Sequence, residues 1–171
     1  MRSPAAFRPS YVNHPDLQIH HARTPSPEFS RFLYTSVGGD WYWCDRLSWT
    51  RDRWWAYLDR PEVETWVAYV AGTPAGYVEL ERQPDHDVEI AYFGLLPAFI
   101  GQGIGKHLLS TGTQRAWDWG AERVWVHTCS LDGEYALANY QARGFTLYDQ
   151  TQHNELPRRK RTGYQNQKRA S

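Results

Sequence analysis

Apolar and polar positions change their spacing in a definite order along this chain. Residues 16–23 alternate as a first strand, bounded by His14-Pro15 and the turn-rich Thr24-Pro25-Ser26-Pro27. Residues 28–37 read as a helix stopped by Gly38-Gly39. Thr50 to Asp59 reads as a second, with Thr50 or Asp52 able to cap it. Three strand patterns follow closely, over 63–71, 75–81 and 88–95. Gly72-Thr73 and Gln83-Pro84-Asp85-His86 separate them. Connections this short predict an antiparallel meander.

Beyond residue 100 the period lengthens. Ile104, Leu108, Gly112, Ala116 and Trp119 recur at helical spacing, predicting a helix within 103–120. Residues 123–128 alternate as a strand, with Val124 and Val126 on one face and Trp125 and His127 on the other. Residues 134–143 predict a helix ending at Gly144, a good residue just past a helix end. Phe145 to Tyr148 reads as a last strand. Together these elements predict a mixed α/β (α+β) fold: a central, mostly antiparallel sheet flanked by helices, with a glycine loop between strand 4 and the following helix. One domain is expected over residues 16–156, after a flexible segment, 1–15, and before a basic, mobile tail, 157–171.

Composition narrows the class. Nine Trp, eleven Tyr and six Phe in 171 residues belong to a folded chain. No apolar run reaches the roughly 18–20 residues of a membrane span, and the first residues lack the apolar stretch of a secretory signal. The formal net charge is zero, but the last fifteen residues hold six Lys/Arg and no acid, leaving the rest acidic. A domain-wide basic footprint for nucleic acid is therefore absent, and Arg158-Arg159-Lys160-Arg161 reads as a solvated tail. Two cysteines, Cys44 and Cys129, suit a reducing, cytoplasmic setting rather than a disulfide framework or zinc cage. His20 and His21 point to opposite faces of a strand, so no metal site is expected.

The most informative stretch is Leu95-Leu96-Pro97-Ala98-Phe99-Ile100-Gly101-Gln102-Gly103-Ile104-Gly105-Lys106. A strand ends, glycines recur at every second position, and a helix begins. Such a loop aims backbone amides and a helix N-terminus at one point, which suits a phosphate. A Walker loop needs Gly at Ile100 and Ser or Thr at His107. A dinucleotide loop needs G-x-G-x-x-G rather than the G-x-G-x-G found here.

The loop resembles the coenzyme A pyrophosphate loop of the GCN5-related N-acetyltransferase (GNAT) family, with Ile100 where the family has Gln or Arg. Ala136 to Phe145 is similar to the family's late helix and Gly-Phe pair, through its Ala, Tyr, Gly and Phe positions. The resemblance covers about residues 62–150. It implies a GNAT fold and direct transfer of an acetyl group from acetyl-CoA to an amine, borne by a small molecule, a peptide or a protein. Phe93, Leu95, Ile100, Gly101, Gln102, Gly103, Ile104, Gly105 and Lys106 would hold the coenzyme, and Gln102 or Lys106 could stand in for the missing side chain at Ile100.

The resemblance also supplies the acid–base pair. Glu89 matches the family's strand glutamate and is the expected general base, with Glu79 and Glu81 in reserve. Tyr140 matches the tyrosine that protonates the departing sulfur. Regular alternation sets Asp87, Glu89, Ala91 and Phe93 on one face and Val88, Ile90 and Tyr92 on the other, with Gly94 a candidate bulge. Cys129 with His127 is expected to be structural. Trp41, Tyr42, Trp43, Trp49, Trp54 and Trp55 are expected to pack the early helices, with Asp40, Asp45 or Asp52 available to orient an amine. The alternative is a domain that binds or senses acyl-CoA without turnover.

Overall fold

The computed structural model describes residues 1–128, 132 and 135–150. Five strands form one sheet in chain order: β1 (Leu17–His21), β2 (Val63–Val70), β3 (Thr73–Arg82), β4 (Asp87–Leu95) and β5 (Arg123–Val126). The first four pair antiparallel, as the short turns require, and β4 pairs parallel with β5. A parallel pair needs a crossover, which α3 (Ile104–Asp118) supplies.

Helices cover both faces. On one side lie α1 (Pro27–Gly38) and α2 (Arg51–Leu58). The Ser26 hydroxyl accepts the Phe29 amide at the start of α1, and Thr50 accepts the Arg53 amide at the start of α2. Each thereby satisfies a donor that the helix leaves open. Leu33 and Val37 of α1 pack on Val67 and Tyr77. On the other side α3 buries Ile104, Leu108, Leu109 and Ala116 against Val78, Leu80, Val88, Ile90 and Val124. Gly112 allows this close approach, because a Cβ there would lie 2.9 Å from Val78 Cγ2. α4 (Ala136–Ala142) adds Tyr140 to the same core.

Three expectations need correction. No strand forms over 145–148: Phe145 is buried, but Leu147 and Tyr148 are about 60% exposed, at 62% and 63%. Strand propensity alone does not make a strand. The last strand of the sheet is also shorter than its alternating pattern, ending at Val126. Finally, residues 1–15 are tied down along the α3 side rather than free. The Met1 amine donates to the Val124 carbonyl at 2.7 Å, and the Val124 amide donates to the Met1 carbonyl at 2.9 Å. Further on, the amides of Arg8, Ser10 and Val12 donate to the Arg143 carbonyl, Ser110 Oγ and His107 Nδ1. The segment finds acceptors on an edge strand and two helices, which its sequence alone does not reveal. Cys129 and the tail from 151 onward lie outside the described residues.

Candidate active site

The site grows from an irregularity in β4. Glu81, Leu80 and Glu79 of β3 stand opposite Glu89, Ile90 and Tyr92, so Ala91 is the extra residue of a bulge. A bulge shifts the phase of every side chain beyond it. Tyr92 therefore joins Glu89 on the α1/α2 face, packing with the Leu33–Val37 cluster, while Phe93 and Leu95 pack with the α3 cluster. Regular alternation assigns Tyr92 and Phe93 to the opposite faces, and the bulge lies three residues before Gly94. Gly94 serves another purpose: a Cβ there would lie 2.5 Å from Val37 Cγ1, so it admits α1 close to the strand.

The bulge is also where β4 and β5 part. Their register runs from Asp87 with Arg123 to Ile90 with Val126 and ends there. Among the described residues, the main chain of 91–95 has no strand partner on its β5 side. Glu89 sits on one face just before this parting. Tyr140 sits on the other, its ring 6.0 Å from that of Phe93 and 6.0 Å from that of Phe145. The strand separates the two groups.

Glu89 Oε2 accepts from Gln83 Nε2 at 2.7 Å, and Gln83 Oε1 accepts from Trp125 Nε1 at 3.1 Å. Burial raises the Glu89 carboxyl above the ordinary range. The Glu81 carboxylate opposite adds to this, while Arg46 and the Gln83 hydrogen bond restrain it. A carboxylate so placed is a better proton acceptor than an exposed one. Burial, helped by the Asp132 carboxylate, also raises the Tyr140 phenol above its ordinary value.

The glycine loop divides by role. Gly101 and Gly103 adopt φ of +86° and +78°, the left-handed region that glycine enters without strain. Gly103 is the residue before α3; no side chain caps that helix and no acid stands in its first turn. Open N–H groups there suit an anion, and the loop fits a phosphate group. Gly105 is different: a Cβ there would meet Leu95 and Phe93 at ordinary distances of 3.5 and 3.9 Å. Ile104 is fully buried in the core and acts through its backbone alone. Ile100 is exposed, and Gln102 Nε2 donates to the Ala98 carbonyl at 2.9 Å, bracing the turn. Lys106 lies over the loop, its Cε 3.3 Å from where a Gly103 Cβ would be.

Of the aromatic cluster, Trp54 is buried and Trp43 lies against the rings of Tyr34, Tyr77 and Tyr92, whereas Trp55 is exposed rather than packed. Asp45 accepts hydrogen bonds from the phenols of Tyr34 and Tyr92. Arg46 is the residue that sequence reasoning missed. It is buried inside the cluster with its guanidinium on Glu79.

The GNAT acetyltransferase family pattern matches residues 31–145, more than half of the chain, and the protein belongs to that family. An uncharacterized N-acetyltransferase of Mycobacterium tuberculosis is 34% identical over 91 residues, which is 53% of this chain and 58% of that protein. The match thus spans less than two thirds of that relative's length. Among solved structures, an aminoglycoside acetyltransferase from an uncultured soil metagenomic sample, in complex with sisomicin, superposes with a TM-score of 0.68. It is 17% identical, covering 84% of this chain and 97% of its own. A Bacillus subtilis acetyltransferase in complex with CoA superposes with a TM-score of 0.61 at 22% identity, covering 78% of each chain. At these identities the structural likeness is one of fold. No helix among the described residues is long and apolar enough to cross a membrane.

Proposed function

We propose that this protein is an acyltransferase that moves an acetyl group from acetyl-CoA directly to an amine, with Glu89 as general base and Tyr140 as general acid. The observation that carries the reading is the parting of β4 and β5 immediately after Glu89, with Tyr140 on the far side of the gap. An amine with a pKa of about 10.4 arrives protonated and must lose its proton before it can attack. Glu89 accepts that proton, directly or through one water. The amine nitrogen then bonds to the thioester carbonyl carbon, and the unpaired main chain near Leu95 offers an N–H to the developing oxyanion. As the C–S bond breaks, Tyr140 gives its proton to the leaving sulfur, the nitrogen of the new amide sheds its extra proton to solvent, and Glu89 and Tyr140 return to their starting protonation by exchange with solvent.

The coenzyme supplies the activated acyl carbon. Gly101 and Gly103, the open first turn of α3 and Lys106 would hold its diphosphate, with Ile100, Gln102, Ile104 and Gly105 shaping the loop. Phe93 and Leu95 would contribute backbone contacts along the unpaired edge. The acceptor class is an amine. Since a fold neighbour was solved with sisomicin, aminoglycosides form the first arm of an acceptor panel, with polyamines and peptide amines as the others. An exposed free thiol at Cys44 suits a reducing, cytoplasmic setting.

Release of free thiol with acetyl-CoA and the panel, confirmed by the mass of the acetylated product, tests this reading. Tyr140→Phe is expected to lower turnover about 10- to 100-fold with little change in coenzyme affinity. Binding of acetyl-CoA without thiol release for any amine would favour the non-catalytic, sensing alternative.

A further inference from the structure

The Arg46–Glu79 pair has no part in the chemistry above. Arg46 Nη1 lies 2.8 Å from Glu79 Oε1, with side-chain exposures of 7% and 2%. Four rings box the guanidinium, with centroids 4.6 Å (Trp49), 5.5 Å (Trp54), 4.1 Å (Tyr57) and 4.3 Å (Tyr92) away. They come from the 39–50 loop, α2 and β4, so three elements converge on one cation. A buried ion pair is seldom more stabilising than apolar residues of the same size, and its charges need another reason to be there.

The charges on this face supply that reason. Three glutamates, Glu79, Glu81 and Glu89, share it, two from β3 and one from β4. Arg46 takes Glu79, and Arg60 takes Glu81 at 2.9 Å. The Tyr57 hydroxyl donates to both, at 2.9 and 3.2 Å. Glu89 receives the Gln83 amide but, among the described residues, no cation. We propose that Arg46 is a positioning residue of the transfer reaction: by occupying Glu79 it leaves Glu89 as the one glutamate of this face free to receive the acceptor's ammonium, and it fixes the 39–50 loop against Tyr92 as a wall of the acceptor site. Asp45, the neighbouring loop residue, completes that wall through the Tyr34 and Tyr92 phenols.

This inference rests on Glu89 being the base. The groups facing Glu89 are Glu79 and Glu81 from β3, Gln83 beyond it, Trp125 from β5, Tyr57 from α2 and Arg46 from the loop. Arg46 is thus the cation that balances Glu79, while Arg60 balances Glu81.

The test titrates Glu89 by carboxyl-carbon NMR in the coenzyme-free protein, its signal assigned by loss in Glu89→Gln. No acceptor is needed. Arg46→Met is expected to move the Glu89 midpoint up and Glu79→Gln to move it down. The double variant Arg46→Met/Glu79→Gln removes both charges and should return it to its starting value. The acid limb of kcat/KM should move with the midpoint, as it must if Glu89 is the base whose charge the pair balances. If Arg46→Met does not fold, Glu79→Gln decides alone. An unmoved midpoint in folded Glu79→Gln overturns the role of Arg46 while leaving the base intact. Wild-type turnover in Glu89→Gln overturns the base and this inference with it.

Discussion

Glu89→Gln is expected to lower turnover by about 10²–10⁴-fold, leave coenzyme affinity unchanged and raise Tm slightly at neutral pH. The first effect follows from removing the proton acceptor at the mouth of the β4/β5 gap. The second follows from distance along the chain, since the diphosphate loop begins beyond the end of β4. The third has the sign of a raised carboxyl. Burial holds Glu89 above its unfolded value, so its ionised form costs stability at neutral pH. That cost is relieved as pH falls through the folded value toward the unfolded one of about 4.3. A neutral glutamine removes the cost at pH 7, and the stability gain of the variant should vanish on acidification. For the same reason wild-type kcat/KM should fall as pH drops through the raised value. Rate measurements and thermal melts at pH 5 and 7 check both together. A variant that is slower and less stable at neutral pH would mean that Glu89 holds the fold rather than the proton.

Gly144→Ala carries the largest expected cost in stability, about 2–4 kcal/mol. Gly144 closes α4 with φ of +97°, and a Cβ there would stand 1.9 Å from the Ala6 carbonyl oxygen. Two penalties therefore combine. The left-handed backbone accounts for about 1–2 kcal/mol of the cost. The rest comes from displacing the N-terminal segment, including the Arg8 amide bonded to the Arg143 carbonyl at 3.1 Å. Gly120 separates the two, because its φ is +84° with nothing within 4 Å of a Cβ. Gly120→Ala should show the backbone penalty alone. Denaturant midpoints of the two variants measure the difference, and equal losses would remove the docked segment from the account.

These contrasts show what the chain made legible and what it withheld. Local punctuation was readable: Thr50 caps α2, Gly144 closes α4, and the alternating glycines mark the strand-to-helix turn. Each is a local backbone requirement answered by one or two residue types. The bulge at Ala91 was not readable, because it is fixed by the register with β3 and the parting from β5, both long-range facts. One extra residue there exchanged the faces of Tyr92 and Phe93, and with them the two sides of the site. Arg46 was hidden for a similar reason. Its carboxylate partner lies 33 positions away and its rings come from three elements. Phe145 to Tyr148 failed in the opposite direction, having the composition of a strand without forming one.

The coenzyme cradle is the central claim, and calorimetric titration of the purified protein with acetyl-CoA tests it most directly, with ATP and NAD as controls. Saturable binding of acetyl-CoA alone is expected, with a matching rise in Tm because the ligand binds only the native chain. Absence of both the heat and the melting shift would contradict it, and would mean that Ile100 had left the loop unable to hold the diphosphate.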